Sequence, residues 1–218
     1  MYELKSYSTV LLSASDEIII EKSRFIGHSF HVKDVDQAEA IIKDTKKKYY
    51  DATHNCFAYI LNEDMSIVKS NDDGEPSSTA GVPMLEIMKK SNITNTLIIA
   101  TRYFGGIKLG ASGLIRAYAK TAQIALKANR IVSKKVFTKI VLKIDYSLIG
   151  KIQKFLETKQ IIYDTPNFTD KVEIVMYETD EKIIELQKEL LDLTNANCKL
   201  DIGNKLYLDF VDGKYLKN

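Results

Sequence analysis

The chain has 218 residues, 45% of them hydrophobic, and a formal net charge of only +2. That length is generous for one compact α/β unit and comfortable for two, and the apolar share is typical of a globular core. The near-neutral balance does not announce a nucleic-acid binder, no run approaches the roughly 18 apolar residues of a membrane span, and two distant cysteines, Cys56 and Cys198, do not make a disulfide framework.

The opening Met1-Tyr-Glu-Leu-Lys lacks the apolar stretch of an export signal, so a reducing cytoplasm is the expected location. Charge is unevenly spread. Residues 1–135 hold 19 Lys+Arg against 15 Asp+Glu, and residues 136–218 hold 12 against 14. The first part is mildly basic, the second mildly acidic.

Strand composition marks Thr9–Ser13, Glu17–Lys22 and Phe25–Val32. Asp34 is placed to cap a helix from Val35 to about Tyr50, and Lys46, Lys47 and Lys48 fall in its last turn, where cations suit the dipole. Thr53–Leu61 and Ser66–Ser70 read as a hairpin. The loop Asn71-Asp-Asp-Gly-Glu-Pro-Ser-Ser-Thr-Ala-Gly-Val-Pro follows, then a short helix from Pro83 to Lys90. Asn95–Phe104 carries the continuous run Leu97-Ile-Ile-Ala, as expected of a strand buried on both faces. After Gly105-Gly-Ile-Lys-Leu-Gly-Ala-Ser-Gly, a helix is predicted from Ser112 to about Asn129, with Leu114, Ile115, Tyr118, Ala119, Ala122, Ala125 and Leu126 on its apolar side.

From about Val136 the order is β-α-β-β-α-β. Strands are predicted at Thr138–Tyr146, Ile161–Asp164, Lys171–Tyr177 and Lys199–Phe210, with helices marked by Leu148 to Leu156 and by Asp180 to Leu193. That is the ferredoxin-like pattern. The expected division is residues 1–135 and 136–218, with a linker near Ser133–Phe137.

The Gly-rich segment is the sharpest local feature. A strand leading into glycines and then a helix offers free N–H groups and a positive dipole end to an anion, with Arg102 and Lys108 beside them and Ser112 as the helix cap. The same glycines also suit a tight turn with unusual dihedrals. On the following helix, Arg116, Lys120, Gln123, Lys127 and Arg130 recur three or four apart without one acidic residue. Such a stripe suits a phosphate backbone or an acidic protein surface, and equally an ordinary solvated face.

Asp72, Asp73 and Glu75 gather three carboxylates that could hold a cation or serve as acid/base groups, although Asp-Gly is also common turn chemistry. His54 and Cys56 share one face of a strand, as a nucleophile and base or two metal ligands would. Only His28 and His31 remain to complete a metal set, and they face opposite ways, so no metal or cofactor is expected.

Four segments together resemble the YigZ/IMPACT family: Ser23-Arg-Phe-Ile-Gly, Ala52-Thr-His-Asn-Cys-Phe-Ala-Tyr, Asp73-Gly-Glu-Pro-Ser-Ser-Thr-Ala-Gly-Val-Pro and Thr101-Arg-Tyr-Phe-Gly-Gly-Ile-Lys-Leu-Gly-Ala-Ser-Gly-Leu-Ile-Arg-Ala-Tyr. Ser78 and Ser112 depart from its commonest form, where glycine stands. The resemblance implies an α+β protein. Its first domain would be of the ribosomal-protein-S-five domain-two type, and its second, ferredoxin-like, would resemble the carboxy-terminal domain of elongation factor G. Eukaryotic members resembling the first domain regulate translation. The implied function is a translation-linked binding protein engaging RNA or a ribosome-associated partner. The anion or nucleic-acid site would comprise Arg24, Arg102, Gly105, Gly106, Lys108, Gly110, Ser112, Arg116, Lys120 and Lys127. The alternative is an enzyme acting on a nucleotide or phosphorylated small molecule at the Gly-rich loop, with His54, Asp73 and Glu75 as candidate acid/base groups. In a third reading the second domain recognises a partner by itself.

Overall fold

The computed structural model describes residues 4–217. Met1, Tyr2 and Glu3, which open the stretch read for an export signal, lie outside the described residues. The chain is a mixed α/β protein of two compact units, one made of Lys5–Lys134 together with the segment from Asp209 onward, the other of Lys135–Leu208.

In the first unit the elements run β1 (Tyr7–Val10), β2 (Ala14–Ile20), β3 (Ser23–His31), α1 (Val35–Lys48), β4 (His54–Leu61), β5 (Ile67–Asn71), α2 (Gly81–Lys90), β6 (Thr96–Tyr103) and α3 (Gly110–Lys127). Five strands form an antiparallel sheet in the order β2-β3-β6-β4-β5. The apolar run of β6 is continuous because helices cover both faces of this central strand. Ile98 and Ala100 join Phe25, Cys56, Met84, Leu114 and Tyr118 beneath α2 and α3, while Leu97 and Ile99 join Phe57, Tyr59, Ala38 and Ile42 beneath α1. Asp34 caps α1 by accepting the Gln37 N–H at 2.8 Å.

α2 starts two residues before the expected Pro83. Its cap comes from a distance in sequence: Asp72 Oδ1 accepts the N–H groups of Ala80 and Gly81 at 3.0 and 2.8 Å. Asp72 Oδ2 also accepts the Ser78 N–H at 2.8 Å. This carboxylate closes the loop and satisfies the orphan donors of a helix start. α3 likewise begins earlier than expected, at Gly110, and Ile115 is exposed on it.

The second unit contains most of β7 (Ile131–Ile144), α4 (Ile149–Lys159), β8 (Ile162–Tyr163), β9 (Asn167–Phe168), β10 (Val172–Glu178), α5 (Asp180–Thr194) and most of β11 (Cys198–Val211). Its main strands lie in the order β11-β7-β10-β8. Taken as four strands in chain order this is 4-1-3-2, the arrangement of a split βαβ fold. Ile140, Leu142, Ile144, Val172, Ile174 and Met176 on the sheet pack against Ile152, Leu156, Leu186 and Leu190 of the helices. The expected Pro166-Asn turn gives way partly to β9, which pairs with β10.

The units divide between Lys134 and Lys135, where 135/136 is expected, and two features of the division differ from expectation. The stretch Ser133–Phe137 is no linker: it lies inside β7, whose first residues, Ile131 to Lys134, pair with β1. The residues from Asp209 belong with the first unit, where Asp209 accepts from Lys134 at 2.7 Å. There β11 turns through Asp212-Gly213, both at positive φ, into β12 (Lys214–Tyr215). That two-residue turn is a common hairpin device.

Candidate ligand groove and cationic helix face

The antiparallel register sets His54 opposite Arg102 and Arg102 opposite Phe25, so β3, β4 and β6 end side by side. Strand alternation sends Arg102 to the face covered by α2 and α3. There its Nη1 donates to Glu75 Oε1 at 2.6 Å, and Tyr118 Oη donates to the same oxygen at 2.7 Å. The other oxygen, Oε2, lies 3.8 Å from His54 Nε2. Arg102 Nη2 donates to Ser23 Oγ at 3.2 Å, and Ser23 Oγ also accepts the Gly105 N–H at 3.2 Å. The guanidinium carbon stands 5.2 Å from the Phe25 ring centre and 5.5 Å from that of Phe104. A buried charge pair with this many partners escapes most of the cost of burial.

His54 Nδ1 is 2.8 Å from the Asp73 carbonyl oxygen. A carbonyl only accepts, so Nδ1 carries the proton and Nε2 is the ring atom left for chemistry in the groove. Asp73 itself is a structural residue. Its carboxylate accepts the Asn55 N–H at 2.7 Å and pairs with Lys46 at 2.5 Å. Asp73 is therefore tied into the loop and does not line the groove that opens over this cluster. Cys56 does share a sheet face with His54, but burial pushes its thiol up to about 12. Its sulfur sits 3.0 Å from the Asp72 carbonyl oxygen, an inert packing position. Among the described residues no three His, Cys, Asp or Glu side chains gather as a metal-holding group.

A groove of about 430 Å3 opens over this cluster. Its polar lining is Thr53, His54, Glu75, Arg102, Lys108 and the first residues of α3, Gly110 and Ala111. Its apolar walls are Pro76, Phe104, Leu109 and Leu114. Two glycines have separate reasons to be there. A Cβ on Gly105 would lie 2.0 Å from the Lys22 carbonyl group, and Gly110 opens α3 at φ +65° with empty space before it. Ser112 does not cap α3. It lies inside the first turn, and Leu109, at the cap position, supplies no side-chain bond. Gly106 is exposed in the same loop at φ +88°.

The stripe lies open, with Arg116, Lys120, Gln123 and Lys127 on α3 and Arg130 just beyond the end of the helix. Arg116, Lys120, Gln123, Lys127 and Arg130 are all exposed, and none of the four cations is in an ion pair among the described residues. At its start a second groove, of about 470 Å3, runs between Ile20 and Glu21, the Ile107-Lys108-Leu109 turn and the α3 residues Arg116 and Lys120. Lys108 and Leu109 thus form a ridge bordering both grooves. Arg24 does not join them: it sits next to Phe25 in β3, points from the opposite sheet face, and pairs with Glu17 at 2.6 Å.

The structure therefore brings His54, Glu75, Arg102, Lys108 and Gly110 together, and leaves Arg24, Asp73 and Ser112 out. Sequence reasoning missed Tyr118 as a Glu75 partner, because its helical spacing marks it only as core, and it missed Ser23, Phe104 and Pro76. Each of these four residues lies inside a segment that carried the family resemblance.

The Impact N-terminal domain model matches residues 21–126, and the domain of unknown function DUF1949 matches residues 142–197. The chain is 41% identical over 206 residues to the IMPACT family member YvyE of Bacillus subtilis (strain 168), covering 94% of this chain and 95% of that one. It is 34% identical over 139 residues to the IMPACT family member YigZ of Escherichia coli (strain K12), covering 63% and 68%. A crystal structure described as that of a hypothetical protein matches at TM-score 0.58 and 26% identity, over 93% of this chain and 98% of the other. Identity at this level over nearly the full length of a named member, with all four motif segments inside the matched domain, settles the relationship: the chain belongs to the IMPACT family.

Proposed function

We propose that this protein is a translation-linked regulatory protein whose first unit grips RNA along α3. The observation that carries the reading is the exposed stripe of Arg116, Lys120 and Lys127 on α3, continued by Arg130 just past its end, four cations with no ion-pair partner among the described residues. Repulsion along such a face is relieved when an acidic ligand lies on it. A chain with a net charge of +2 that concentrates unpaired cations on one helix acts through local field rather than total charge. Counterion release from a phosphate backbone then supplies the affinity. The translational link is what the resemblance to the family implies.

Filter binding of ribosomal RNA fragments to the full chain tests the reading. Arg116→Glu with Lys120→Glu should weaken binding at least tenfold at low salt, since roughly two phosphate contacts are lost. Undetectable binding by the wild type, or equal binding by the double variant, would overturn it.

A further inference from the structure

We propose that the groove over Glu75 and Arg102 is a separate binding site for a nucleoside monophosphate. Its phosphate would sit at the start of α3 and its base against Phe104.

The chemistry at the two ends of the groove differs. At one end are the Gly110 and Ala111 backbone at the head of an 18-residue helix, with Lys108 beside them. The first turn of this helix holds no acidic residue and no side-chain cap, so its N–H groups and dipole are unopposed. Such an end takes a phosphate. At the other end the walls are Phe104, 46% exposed, and Pro76. An exposed aromatic ring in a concave, mostly apolar site suits a flat heterocycle.

Two features besides the helix end point to a ligand. Arg102 lines the groove while 4% exposed, and its Nε is the buried side-chain atom left without a hydrogen-bond partner among the described residues. His54, fixed by the Asp73 carbonyl, keeps Nε2 at the groove lining with Glu75 Oε2 at 3.8 Å as its near neighbour. Nε2 is ready to bond a ribose hydroxyl. A volume of about 430 Å3 admits one nucleotide and excludes a duplex.

The same chemistry has two sources, a free nucleotide or the 5′-phosphorylated terminal nucleotide of an RNA. The second source rests on the RNA reading above, and the first does not. Titration calorimetry of the full chain with AMP, UMP, adenosine, ribose 5-phosphate and inorganic phosphate tests the site. AMP and UMP should bind, with adenosine and ribose 5-phosphate each weaker by about tenfold or more. Phe104→Ala and Lys108→Ala, both at exposed positions, should each weaken AMP by about tenfold, by loss of stacking or of a charge-assisted bond. Lys127→Glu, outside the groove, should leave AMP binding unchanged while reducing RNA binding, so failure of the stripe and failure of the groove are told apart.

A short RNA with a 5′-phosphate that displaces AMP, where its 5′-hydroxyl counterpart does not, identifies an RNA end as the ligand. AMP binding without such displacement identifies the free nucleotide. No heat with AMP or UMP at millimolar concentration, or affinity untouched by both groove variants, would overturn the proposal.

Discussion

Arg102 and Glu75 meet at 2.6 Å with both side chains about nineteen-twentieths buried, at the point where β6 runs into the Gly-rich loop. Tyr118 completes the carboxylate's shell from α3. Replacing Glu75 by Gln leaves the guanidinium buried without its countercharge, and should destabilise the first unit by about 3 kcal/mol or more. Tyr118→Phe should cost about 2 kcal/mol, the worth of a hydrogen bond to a charged group. Urea unfolding reads both as lower midpoints at unchanged slope. Glu17→Gln, which breaks the exposed pair with Arg24, should shift the midpoint little.

The loop before α2 predicts a contrast between residues that look alike in sequence. Asp72→Ala removes the acceptor for three backbone donors and should cost about 2 kcal/mol. Ser112→Ala, inside the first turn of α3, should change stability within experimental scatter. Ser78 is exposed and holds φ +59°, a left-handed conformation that favours glycine. Ser78→Gly should therefore stabilise by up to about 1 kcal/mol, measured by thermal unfolding.

How far the sequence carried these details depended on where the deciding contact lay. Asp34 caps its own helix, and the apolar run of β6 reports two covered faces, so both were legible locally. Alternation placed His54 and Cys56 on one face correctly. What decided Asp72, Asp73 and Glu75 was long-range. Three adjacent carboxylates have three fates, a helix cap, a tie to Lys46 and Asn55, and a buried pair with Arg102, and no local spacing separates them. Ser133–Phe137 has the composition of a linker because nothing in it shows that β1 pairs with the start of β7.

His28 gives a pH prediction. Burial, with some help from the Lys48 charge, lowers its folded value from 6.5 to about 4. The unfolded chain therefore binds the extra proton first, and stability rises with pH between those values. The contribution is complete above about 6.5 and lost as pH falls toward 4. It should amount to a few kcal/mol, at about 1.4 kcal/mol per pH unit. His28→Phe, which keeps a ring beside Phe30 and Tyr49, should unfold with a shallower pH dependence across that window.

Thiol labelling follows from the same logic. With its thiol pushed up to about 12, Cys56 is almost wholly protonated at pH 8 and out of solvent. A thiol-reactive dye should modify only the half-buried Cys198 in the native protein, and reach Cys56 after denaturation. Rapid native labelling of both would contradict the buried position of Cys56 beside Tyr118.

If phosphates lie along α3 as proposed, the salt dependence of RNA affinity reports how many of its cations they meet. Plotted as log affinity against log salt, the wild-type line should be steep, and the Arg116→Glu, Lys120→Glu line shallower by roughly one for each residue reversed. Parallel lines for the two proteins would contradict that placement.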